Sequence, residues 1–112
     1  MQHAIESFQN TFGGAPVSTV IAPGRVELLG NHTDYNQGLI MALAIDKTIA
    51  MAAAPRADHQ VEVVSTAFPE VARFSLDRIE RDPAVPWANY IKGLLVELQQ
   101  HGVQIGGFNA AL

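Results

Sequence analysis

The sequence predicts an α+β fold, and three observations carry that expectation. Ile5, Phe8 and Phe12 form an amphipathic stripe near the start; β-branched or alternating runs follow between residues 17 and 76; a second, stronger helical stripe begins at Trp87. Helix, several strands, helix and strand in that order favour a largely antiparallel sheet with a packed helix. The chain has 112 residues, 48% apolar and 16% charged, so it can bury a modest core and falls outside the disordered class.

The first helix is expected over residues 3–12, with Glu6, Gln9 and Asn10 off the apolar stripe and Gly13-Gly14 and Pro16 ending it. Residues 17–21, Val-Ser-Thr-Val-Ile, favour a strand. Ala22-Pro23-Gly24 is expected to bend the chain before residues 25–29 alternate again in strand fashion. Residues 30–38, Gly-Asn-His-Thr-Asp-Tyr-Asn-Gln-Gly, read as a polar loop with tight turns. Residues 39–45 and 48–54 are apolar runs on either side of Asp46-Lys47, and a hairpin turning there is the preferred reading. Residues 60–66 and 71–76 read as further strands, joined through Phe68-Pro69-Glu70.

The charged segment 76–86, with two prolines, reads as a surface connection. Trp87, Tyr90, Ile91, Leu94, Leu95 and Leu98 then recur at helical spacing, and Gly102 suits the end of that helix. Gly93 lies inside it at a cost of about 1 kcal/mol relative to alanine, which points to close packing against a neighbour. Residues 106–112 begin an apolar strand at which the sequence stops. The chain therefore reads as cut, with a last strand that wants a partner and through which copies could self-associate.

A formal net charge of −4 argues against nucleic-acid or acidic-membrane binding. The absence of cysteine excludes disulfides and thiolate metal sites and fits a cytoplasmic protein. The start carries no secretory signal, and the apolar stretch 39–54, broken by Asp46 and Lys47, is too short to cross a bilayer.

The chemistry concentrates in residues 22–38. Asn31, His32 and Asp34 place an amide, an imidazole and a carboxylate on one loop bracketed by Gly30 and Gly38. Such a set suits a polyhydroxylated ligand, because a buried hydroxyl left unpaired costs on the order of 1–3 kcal/mol. Arg25, behind Pro23-Gly24, could neutralise a phosphoryl group or lower the pKa of a carboxylate. The bland alternative is that Gly, Asn and Asp are turn formers and that Asp34 merely orients His32. A metal site is poorly supported, since zinc needs three or four protein ligands and His32 and Asp34 supply two.

Pro23-Gly24-Arg25-Val26 through Gly30-x-His32-Thr33-Asp34-Tyr35-Asn36-x-Gly38 resembles the signature of galactokinases, in the GHMP kinase superfamily. Phe8-x-x-x-Phe12-Gly13 upstream and Trp87-x-Asn89-Tyr90-x-Lys92-Gly93 downstream resemble the same family, so the likeness covers nearly the whole chain. It implies a truncated N-terminal domain, residues 1–112, of a fold similar to the second domain of ribosomal protein S5, with the sugar-recognition loop at 23–38.

The resemblance implies transfer of the γ-phosphoryl of ATP, with Mg2+, to the C1 hydroxyl of galactose by the full-length enzyme. Arg25 would hold a catalytic aspartate ionised; Asn31, His32 and Asp34 would bind sugar hydroxyls; Trp87 and Tyr90 would line the adenine pocket. Both aromatics would serve equally well as core on an apolar helix face, and Lys92 is expected to cover the helix surface. Two departures stand out. Asn31 replaces a common glutamate, which opens the galactose preference, and Glu27 replaces a common asparagine. The phosphate loop, the magnesium ligand and the catalytic aspartate have no match here, so the fragment alone is expected to be inactive. The alternative is a sugar-binding or regulatory relative without catalysis.

Overall fold

The computed structural model describes all 112 residues apart from the side chain of Asp34. It comprises two compact units, Met1–Val20 with Met51–Leu112, and Ile21–Ala50. The elements are α1 (Gln2–Phe12), β1 (Ser18–Leu29), β2 (Met41–Pro55), β3 (Gln60–Val64), β4 (Ala72–Ser75), α2 (Asn89–Gln100) and β5 (Phe108–Ala111), with 3-10 turns at Asp34–Asn36 and Pro86–Ala88. The class is α+β, as expected.

In the first unit the strand order is β2, β5, β3, β4. β5 runs antiparallel to β2, with Ala53 opposite Ala110, and parallel to β3, with Val63 opposite Ala110. β3 and β4 are antiparallel, Val61 facing Phe74. The sheet is therefore mixed, and two of these three pairings are antiparallel, as expected. The last strand is not an open edge either, because both of its sides are filled within the chain. Leu112 continues that pairing, its N–H donating to the Val64 carbonyl at 2.9 Å and its own carbonyl accepting from the Thr66 N–H at 2.8 Å.

Alternation along the strands builds the core. Val61 and Val63 are almost fully buried and gather Ala72, Phe74, Leu76, Val85, Ala88, Leu95 and Ala110, with Trp87 and Ile91 packed against them. Each fully buried valine, leucine or phenylalanine contributes roughly 1.5–3 kcal/mol. The segment 76–86 is thus not wholly a surface connection, since its two ends, Leu76 and Val85, are pulled inward. α1 buries Ala4 and Phe8 and lies against β5, with the Phe8 and Phe12 rings 4.9 Å apart.

Three polar residues tie the connections down. Arg56 donates to both carboxylate oxygens of Asp58 at 2.8 Å and to the Asn109 side-chain oxygen at 2.9 Å, clamping the β2–β3 turn to β5. That hydrogen-bonded guanidinium holds the Asp58 carboxyl down at about 2. Asn89 accepts from the Asp82 N–H at 2.9 Å and donates to the Asp82 carbonyl at 2.8 Å, fixing the approach to α2. Lys92 does not cover the helix surface; it is 6% exposed, lies over the Phe74 ring at 5.0 Å and donates to the Glu80 carbonyl at 3.1 Å.

In the second unit β1 lies beside β2. Two expected breaks are absent. β1 passes through Pro23 unbroken, because β1 ends the strand order and a one-partner strand tolerates a residue with no N–H to give. β2 likewise runs straight through Asp46-Lys47, a pair that lacks the positive-φ residues a tight hairpin turn demands.

Gly93 does not mark a close approach: a Cβ built there meets nothing within 4 Å. Its remaining effect is the entropic cost of glycine in a helix. Gly93→Ala is expected to raise stability by about 0.5–1 kcal/mol. Urea unfolding of the chain checks this, and an unchanged or lowered midpoint contradicts it.

Candidate functional site

The loop of the second unit is organised by one threonine. After β1 the chain turns at Gly30, where φ is 98°. The Thr33 N–H donates back to the Gly30 carbonyl at 3.0 Å, and its hydroxyl lies 3.0 Å from the Gly30 carbonyl and 2.9 Å from that of Leu39. The Thr33 carbonyl accepts from the N–H groups of Asn36 at 3.0 Å and Gly38 at 2.7 Å. The residue therefore bonds both ends of the loop and its middle.

The two glycines are what allow this approach. A Cβ on Gly30 would sit 2.7 Å from the Leu39 carbonyl and 2.8 Å from the Thr33 hydroxyl, and one on Gly38 would sit 2.5 Å from the Thr33 Cβ. All three separations are closer than atoms tolerate, and Gly30 also needs its left-handed φ. The glycines thus close the loop around a threonine side chain.

The ligand-binding candidates ride on this frame. Asn31 and His32 are exposed on the first turn. His32 Nδ1 is 2.6 Å from the Tyr35 hydroxyl, the two rings meeting edge to face at 6.0 Å. The Asn36 amide donates to the His32 carbonyl at 2.8 Å, so the imidazole is held from its ring and from its backbone. The backbone of Asp34 opens the 3-10 turn, while its side chain lies outside the described residues. Arg25 is exposed on β1, and among the described residues its side chain makes no ion pair or hydrogen bond. It stands five residues before Gly30, roughly 16 Å along an extended strand.

Trp87 and Tyr90 belong to the first unit. Trp87 is partly buried against the core cluster, and its indole Nε1 is buried with no hydrogen-bond partner among the described residues. Phe68 stacks on it with ring centroids 5.9 Å apart and planes within 8°. Tyr90 is 86% exposed. Of the two, Trp87 packs on the core and Tyr90 is exposed.

Sequence reasoning did not single out Thr33, Tyr35 or Phe68 as parts of a site. A threonine midway between two glycines of a tight loop, and a tyrosine three residues after a histidine, were the signals available for the first two. Phe68 had none, because its stacking partner lies nineteen residues away in sequence, counted from 68 to 87.

Residues 6–55 match the galactokinase galactose-binding signature. The chain is 41% identical over 101 residues to a galactokinase of Chloroflexus aggregans and 42% identical over 102 residues to one of a Roseiflexus species. These alignments take in 90% and 91% of this chain and 26% of each relative, so the chain spans about a quarter of the length of the curated relatives it matches. Among solved structures it resembles Lactococcus lactis galactokinase complexed with galactose, at a TM-score of 0.79 and 35% identity, covering 96% of this chain and 29% of that one. Methanococcus jannaschii mevalonate kinase shares the fold alone, at a TM-score of 0.55 and 16% identity over 88% of this chain and 32% of that one.

Losing the one hydrogen bond that the Thr33 hydroxyl can donate, shared between the Gly30 and Leu39 carbonyls, costs about 0.5–1.5 kcal/mol, which raises the population of opened loop by about two- to twelvefold. Thr33→Val and Gly38→Ala are therefore expected to speed chymotrypsin cleavage at Tyr35, while Thr33→Ser and Asn31→Ala are cut at the original rate. Equal cleavage of all four variants contradicts the assignment.

Proposed function

We propose that the chain belongs with the galactokinases of the GHMP kinase superfamily and supplies the sugar-recognition part of an enzyme transferring the γ-phosphoryl of ATP to the C1 hydroxyl of galactose. The observation that carries this reading is the galactose-binding signature across residues 6–55, which encloses the Thr33-braced loop. The galactose-complexed Lactococcus lactis relative supports the choice of sugar.

Asn31, His32 and Asp34 are assigned to the sugar hydroxyls. A site that hydrogen-bonds a hydroxyl rejects the epimer that leaves its polar groups unpaired, and this is the physical basis for selecting galactose over glucose. Holding the loop in place beforehand reduces the ordering cost of binding. Asn31 offers an acceptor oxygen and two N–H donors but no charge, so its contact with the sugar is weaker than a carboxylate would give. Arg25 carries a fixed positive charge, suited to holding a neighbouring carboxylate ionised and to offsetting charge that develops on the transferring phosphoryl group.

Trp87 and Tyr90 are assigned to the adenine of ATP. The Mg2+ that accompanies ATP is not assigned to any residue of this chain. The chain's contribution is binding and orientation, which are the larger part of catalysis in phosphoryl transfer. No helix is long and apolar enough to cross a membrane; a cytoplasmic location is part of the proposal. A non-catalytic sugar-binding relative is the second reading, favoured by the uncharged Asn31.

Calorimetry with galactose, glucose and N-acetylgalactosamine tests the sugar assignment. Galactose is expected to bind at least about tenfold more tightly than glucose, in line with the loss of one buried hydrogen bond, and Asn31→Glu is expected to widen that gap. Equal affinities, or no binding of any of the three, contradict it. Galactose phosphorylation in the presence of MgATP is expected to be absent for the 112-residue chain, and measurable turnover overturns that part of the reading.

A further inference from the structure

The aromatic side chain best placed to meet a nucleotide base is neither of the two residues assigned above. Trp87 packs against the core cluster, and Phe68 lies parallel on its ring at 5.9 Å. The face of Trp87 that a purine would need is thus partly covered by Phe68, in an offset stack. Phe68 itself is 49% exposed, on the connection between β3 and β4 and next to Pro69.

A ring half open to water, stacked on its inner side by an indole anchored in the core, is an unfinished stack. Its backing is rigid because Trp87 is held by the core, and Phe68 brings little side-chain freedom to lose on binding. We propose that the purine of a bound nucleotide stacks on the outer face of Phe68, with Trp87 as a fixed backing plate behind it and Tyr90 as the exposed aromatic of the same nucleotide site. This rests on the assignment of Trp87 and Tyr90 to nucleotide binding and changes which ring carries the contact. Phe68 is thereby a binding residue, and Trp87 a positioning residue that acts through it.

The contact also has a limited selectivity. Every base has a π-face, and stacking on an aromatic ring is tolerant of which base it is. Phe68 therefore contributes affinity to adenine and guanine nucleotides alike, and base choice must come from hydrogen bonds elsewhere.

Trp87 is the only tryptophan of the chain, so its fluorescence reports on this stack without labelling. ADP is titrated into the full chain and into Phe68→Leu and Phe68→Tyr, with circular dichroism to compare their folding and calorimetry to obtain affinities. ADP is expected to change Trp87 emission saturably, with Phe68→Leu binding at least about fivefold more weakly, the low end of what one base–aromatic stack supplies. Phe68→Tyr keeps the ring and is expected to bind as the wild type does, and GDP is expected to lose affinity with Phe68→Leu in the same proportion. Upfield shifts of the Phe68 ring protons in the wild type on adding ADP give the same answer without any substitution. ADP that changes Trp87 emission but binds Phe68→Leu undiminished, with no ring-proton shift, overturns the role of Phe68 and leaves the nucleotide assignment standing. ADP that leaves Trp87 emission, Phe68 ring protons and calorimetric heat unchanged overturns both.

Discussion

Thr33 makes three kinds of bond from one residue, and the geometry of the recognition loop depends on them. Its hydroxyl meets carbonyls at both ends, Gly30 and Leu39; its N–H closes the first turn; its carbonyl receives the N–H groups of Asn36 and Gly38. A loop of polar residues would otherwise spend its backbone groups on water and sample many shapes. Here several of those groups are satisfied internally, and the glycines at 30 and 38 make room beside the threonine for that bonding.

That arrangement explains how a short surface loop can hold ligand-binding groups in register. His32 is fixed through its ring by Tyr35 and through its carbonyl by Asn36, while Asn31 is exposed on the same turn. Internal bonding of the frame leaves neighbouring side chains available to a ligand, and ordering paid for by folding is not charged again to binding. The first unit uses the same device on a larger scale. Arg56, Asn89 and Lys92 each tie a connection to the sheet or to α2, so the stretch bearing Trp87 and Tyr90 is anchored through Asn89 and Lys92.

Much of this was legible in the sequence, for physical reasons that differ by element. Both helices declared themselves through 3.6-residue periodicity, and the loop through its glycines and polar density. The misreadings arise where tertiary placement, strand order among it, overrides local chemistry. Pro23 and Asp46-Lys47 look like breaks, yet an edge strand excuses the proline and a long strand carries the charged pair without turning. The terminal run 106–112 looked unpaired, whereas β5 lies between β2 and β3. Lys92 looked like surface cover because its carbonyl partner, Glu80, is twelve residues away in an irregular segment. In the loop, residue types identified Asn31 and His32, but the part played by Thr33 follows from closeness to Gly30 and Gly38 that composition cannot convey.

The most direct test of this account is amide hydrogen exchange at Asn36 and Gly38 in the ligand-free chain. Both N–H groups donate to the Thr33 carbonyl, so both are predicted to exchange well below the rate of an open loop, and to lose that protection together in Thr33→Val. Exchange at the open-loop rate in the unsubstituted chain would show that the loop is not held in place before the sugar arrives, and the account of recognition built on Thr33 would be wrong.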